Sequence, residues 1–153
     1  MVDFCKFTVE RIGIPLNDTN HKHNKKEFWK AVTRWMGDGK PFFVEMDPMV
    51  DAFMLWEYVK EYEPTILSAV GNIHVDVALR EKTEWVRMHL GDNTAEKAIL
   101  VRKAIDKALH AAPRHILIDD RSKAIDPWVE AGGIGILHTS AEDTIKQLME
   151  LGI

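Results

Sequence analysis

Two adjacent aspartates, Asp119 and Asp120, close the apolar run "HILI" (115–118) in the stretch "HILIDDRSKAIDPWVEAGGIGIL". Neighbouring carboxylates repel, and burying even one is costly unless a cation pairs with it. Aspartate is also poor in strands, so a pair placed directly after one asks for a reason. Two further residues carry compatible chemistry. Ser68 ends the apolar run "TILS", and Lys82 begins the helix expected after it. A hydroxyl, an ammonium and a pair of acids suit a phosphate group together with Mg²⁺, which takes hard oxygen ligands from one or two carboxylates and from substrate phosphates. Each residue alone has a plain structural role: Ser68 as a turn or cap, Lys82 as a solvated lysine, the aspartates as caps of the next helix. The three together, each beside the carboxyl end of a strand, favour the functional reading.

The elements that must position them follow from periodicity. Residues 3–12 carry Phe4, Phe7, Val9 and Ile12 at helical spacing, stopped by Gly13 and Pro15. "KKEFWKAVTRWM" (25–36) aligns Phe28, Val32 and Trp35, and "PFFVEM" (41–46) is either a strand or a loop. A helix is predicted over 51–62 with Asp51 as its cap, a strand over 64–69 and a helix over 79–91 with Trp85, Val86 and Leu90 inward. A strand follows over 97–101 and a helix over 103–112. "HILI" is a strand, and 123–132 contains a short helix with Pro127 in its first turn. "IGIL" (134–137) is a strand, and Ser140 with Asp143 forms a capping box for the last helix. From residue 51 onward strands and helices alternate, which implies an α/β fold: a Rossmann-like parallel sheet with helices on both faces. In such a sheet, ligands gather at the carboxyl ends of the strands. Residues 1–50 do not alternate and read as a small helical addition within one domain of 153 residues.

Composition narrows the partners. The chain is 46% hydrophobic and 29% charged, with net charge −4. That balance argues against a nucleic acid polymer or an anionic membrane as the main partner. The basic segment "HKHNKK" (21–26) is short and reads as a solvated loop or helix start. One cysteine, Cys5, cannot close an internal disulfide, and charges at Asp3, Lys6, Glu10 and Arg11 interrupt any signal-like apolar run. A cytoplasmic location is the expectation.

"PTILSA", "REKTEWVRMHLG" and "HILIDDRSKAIDPWVEAGGIGILHTS" together resemble the second, third and fourth motifs of haloacid dehalogenase-like phosphatases, over residues 51–153. Small deoxyribonucleotidase-like and phage-encoded members are the most similar. The resemblance implies a HAD-like fold with residues 1–50 as a cap-like segment, and a Mg²⁺-dependent phosphomonoesterase acting on a phosphorylated small molecule such as a nucleotide. It implies that Ser68 hydrogen-bonds the phosphoryl group, that Lys82 neutralises it, and that Asp119 and Asp120 hold Mg²⁺.

The first motif of that family, an apolar strand ending in Asp-x-Asp, supplies the nucleophile and the acid. No such strand is found here. The opening "MVDFCKF" resembles the residues that follow it, so the chain is expected to be truncated, lacking the first central strand, with low or no turnover. Glu45 and Asp47 in "PFFVEMDP" imitate the acid-x-acid pattern, but glutamate is one methylene longer and the order along the chain is wrong. They fit better in the loop entering helix 51–62. His21 and His23 have no second pair to complete a metal site. "GGIG" (132–135) follows a helix and opens a strand, the reverse of a dinucleotide fingerprint, and reads as a helix stop and tight turn. Trp85 and Trp128 read as core, and His138 as a residue bordering the cleft. A missing central strand would expose strand edges, so a homo-oligomer is expected. The alternative function is a non-catalytic HAD-like remnant that binds or acts as a scaffold.

Overall fold

A computed structural model describes residues 4–13 and 25–153. Asp3, Pro15, His21 and His23 lie outside the described residues. The chain divides into two compact units, one of residues up to 49 with 72–96, the other of 50–71 with 97–153.

The first unit begins with α1 (Phe4–Phe7), which runs on as a wide helical turn over Thr8–Ile12. Gly13 ends it in the left-handed region at φ 74°, with its N–H on the Val9 carbonyl, as expected for a C-terminal glycine. Helix α2 (Lys25–Gly37) turns Phe28, Val32 and Met36, four residues apart, into a core shared with Phe7, Phe42 and Met46. Trp35 packs at the margin and donates its Nε1–H to the Pro41 carbonyl at 2.8 Å.

Helix α4 (Val75–Leu90) starts four residues before the expected position 79 and buries Ala78, Glu81, Trp85 and Val86, while Leu90 stays half-exposed. Glu81 accepts the backbone N–H groups of Phe42 and Phe43 at 2.9 and 2.8 Å. Trp85 donates to the Met46 carbonyl at 2.7 Å. These three bonds hold residues 41–46 as a turn-containing loop, which settles the strand-or-loop alternative. A short helix, α5 (Asp92–Glu96), follows Gly91.

The second unit is mixed α/β. Strand β1 (Leu67–Ala69) pairs in parallel with β2 (Ile99–Val101), and β3 (Ile116–Asp119) pairs in parallel with β4 (Ile134–Leu137). Among the described residues these are two separate two-stranded sheets, where one continuous sheet was expected. Leu67 of β1 nonetheless packs against the Leu117 cluster of β3.

Helices cover both faces of the β3–β4 pair. Ile116 and Ile118 point to one side, against α3 (Ala52–Val59) and α7 (Ala141–Glu150), through Leu55, Ile136 and Leu148. Leu117 points to the other, against Ala124, Ile125 and Trp128 of α6 (Ser122–Glu130). The period of two in "HILI" thus sorts its side chains between two cores. Residues Ala104–His110 form a 3₁₀ helix, entered where the Lys103 N–H donates to Asp106 Oδ2 at 2.8 Å.

Two helix details differ from expectation and a third agrees with it. Pro127 is the sixth residue of α6, because that helix starts at Ser122 and places the proline in its second turn. Asp51 precedes α3, but its carboxylate accepts the Ala141 N–H at 2.8 Å and so caps α7, beyond reach of a local sequence rule. Ser140 does accept the Asp143 N–H, at 3.1 Å, as the capping pattern requires.

Candidate functional site

Asp119 is the last residue of β3, and its side chain is 7% exposed. Hydrogen bonding to its backbone continues the ladder, the His138 N–H reaching the Asp119 carbonyl at 2.9 Å. Both carboxylate oxygens are engaged. Oδ1 accepts the Arg121 N–H at 2.9 Å, an Asx-type bond that turns the chain toward α6. Oδ2 accepts from Lys107 Nζ, whose side chain is only 9% exposed. Lys107 projects from the 3₁₀ helix and is one of four buried polar or charged residues among the described residues. A buried carboxylate is tolerable when a cation is fixed beside it, and Lys107 is that cation.

Asp120, the residue after the strand, is exposed. The adjacent acids therefore have different environments, which removes most of the repulsion their proximity suggests. Asp119 and Asp120 are hard oxygen donors of the kind Mg²⁺ takes from one or two carboxylates, and Asp119 is already neutralised by Lys107. Among the described residues no group of three or more His, Cys, Asp or Glu gathers as a metal cluster.

Ser68 lies in the same unit, in the middle of β1 opposite Leu100, one residue short of the strand end. Lys82 lies in the other unit. The early start of α4 makes it the eighth helical residue instead of a first-turn residue, and its Nζ sits 4.5 Å from the Phe43 ring centroid. Glu45 is exposed on the 41–46 loop. Asp47 is exposed and ion-paired with Lys6 at 2.6 Å, and that bond, with the Lys6 and Arg11 charges, holds its carboxyl below the usual aspartate range. Neither acid follows a strand. His138 shares a hydrogen bond with Thr144 Oγ1 at 2.7 Å, which fixes its ring beside the end of β4.

Lys107 escaped the sequence reading. It lies between Ala104 and Ala111, at i−3 and i+4, on a stripe of small residues that both pack against the Leu117 cluster. A lysine flanked by small residues on one helical face, twelve residues before a carboxylate pair, was the available signal. Comparisons with protein-family models, with curated proteins and with solved structures find no match to this chain.

Proposed function

We propose that the second unit is a Rossmann-like, haloacid dehalogenase-like phosphate site, and that the chain belongs to the Mg²⁺-dependent phosphomonoesterases, with a phosphorylated small molecule such as a nucleotide as ligand. The observation that carries the reading is the buried Lys107–Asp119 pair at the carboxyl end of a parallel strand, beside the exposed Asp120. Asp119 and Asp120 would hold Mg²⁺, which supplies positive charge to the phosphoryl oxygens. Lys107, paired with Asp119, would supply a cation from within the same unit, and Ser68 is the hydroxyl of that unit.

Turnover is a separate matter. Glu45 and Asp47 are exposed residues of the first unit, and Asp47 is already paired with Lys6. Residues 1–153 are expected to bind Mg²⁺ with phosphate and to hydrolyse nucleoside monophosphates far more slowly than about 1 s⁻¹, the low end of ordinary turnover. Thermal-shift measurements with Mg²⁺, with and without inorganic phosphate, test the binding. A shift in the parent that disappears in Asp120→Asn supports the reading. No shift, or an equal shift in the variant, removes the metal site.

One observation favours a second reading, a non-catalytic binding protein. Lys107 already neutralises Asp119, so this fold holds the acid without a metal. That reading expects no Mg²⁺ response at all, whereas rapid hydrolysis abolished by Asp119→Asn would exclude it.

A further inference from the structure

The outward face of α2 gathers what the composition disperses. In a chain of net charge −4, Lys26, Lys30 and Arg34 stand four residues apart along this one helix, all exposed. At 1.5 Å rise per residue, successive cations are about 6 Å apart. Between their turns lie Trp29 and Thr33, and these five residues line one shallow groove. Trp29, one of two tryptophans on the helix, is 37% exposed. Its ring stands edge-on to buried Phe28, at 80° and 5.1 Å between centroids, which fixes its orientation. Thr33 Oγ1 is committed to the Trp29 carbonyl at 2.7 Å. Glu27 is the single acid interleaved here, and it pairs with Lys30 at 2.9 Å, leaving the face cationic.

Trp29 keeps part of its ring in solvent between the three cations, and three cations in a row gain nothing from one another. The combination suits a ligand that is flat and anionic along its length. A single-stranded nucleic acid has both properties: unpaired bases that stack on an indole, and a phosphate line for cations spaced along a helix. A duplex hides its base faces, and an acidic peptide offers nothing for Trp29. The net negative charge elsewhere is screened beyond about 10 Å at 0.1 M salt, so the patch acts locally. We propose that this face of α2 binds single-stranded nucleic acid, independently of the phosphate site of the second unit.

Fluorescence anisotropy of the full chain with a short labelled oligothymidylate tests this. Binding should weaken with salt at a log–log slope of about −2, the value for three phosphate contacts on a single strand. In Lys26→Gln/Arg34→Gln the slope should fall to about −0.7. Trp29→Ala should weaken binding roughly tenfold, and Trp29→Phe should keep most of it, which separates lost stacking from a disturbed helix. No binding at about 50 mM salt, or an unchanged slope in the double variant, would overturn the proposal. So would duplex DNA or polyglutamate binding as well as the oligonucleotide, since either would make the face a site for charge alone.

Discussion

Lys107 and Asp119 form a charge pair that is almost wholly removed from water, with side chains 9% and 7% exposed. At this depth neither ion is tolerated alone. Lys107→Met should therefore destabilise the protein by about 3–5 kcal/mol, through the stranded carboxylate. The double variant Lys107→Met/Asp119→Leu should recover most of that loss, because it removes both desolvated charges together. Chemical denaturation of the parent and the two variants measures the difference. If the single variant were as stable as the parent, Asp119 would have another source of compensation, and the buried pair would not be what holds the strand end. The contrast with Lys6–Asp47 is one of solvent. Both partners there are about half exposed or more, so that pair contributes little to stability.

Two elements are fixed by contacts that local sequence rules do not describe. Gly135 on β4 faces α6, and a Cβ there would lie 2.7 Å from Ile125 Cγ2 and 2.8 Å from Val129 Cγ2. "GGIG" is thus a place where a helix meets a strand closely. Gly135→Ala should cost about 1–3 kcal/mol by overpacking, whereas alanine at Gly37, whose nearest neighbour would be 3.7 Å away, meets no such clash. Thermal melts of the two variants make the comparison. In the first unit, Glu81 accepts two N–H groups of the 41–46 loop. Glu81→Leu would orphan both, at about 1–3 kcal/mol for each. Glu81→Gln keeps an acceptor oxygen and should cost much less. Amide exchange at Phe42 and Phe43 should accelerate in the leucine variant first, which distinguishes release of the loop from general loss of the core.

At the scale of the whole molecule, the second unit has short strands of three and four residues in two separate pairs. Ile99, Leu100 and Val101, which in a fully covered parallel sheet would be buried, are all only partly buried. Ile105 and Leu109 on the adjoining 3₁₀ helix are 57% and 83% exposed. Exposed apolar surface and strand edges can recruit a partner, and self-association is the outcome we expect. Light scattering at micromolar concentration should give a mass above the 17.5 kDa of one chain. A monomer over that range would show that these strands tolerate water as they stand. Among the described residues no helix is long and apolar enough to cross a membrane.

Period-two and period-four patterns, read from the sequence alone, located the main helices and the four strands among the described residues, since short apolar runs of this kind favour regular structure that removes at least part of their side chains from water. They also placed Asp119 and Asp120 at a strand end, Gly13 as a helix stop and Ser140 as a cap, because those features depend on neighbours a few residues away. Tertiary structure decided what depends on distant partners. Asp51 caps α7, ninety residues along the chain, instead of its own helix. The 41–46 loop takes its shape from Glu81, and α4 belongs to the first unit although it follows a strand of the second. The mixed α/β character was legible, but the division of the strands into two sheets was not, because pairing is a choice among edges that periodicity leaves equal. Above all, the cation beside Asp119 proved to be Lys107, since only the packed fold brings the 3₁₀ helix and the end of β3 together and excludes the water that would otherwise have solvated both charges.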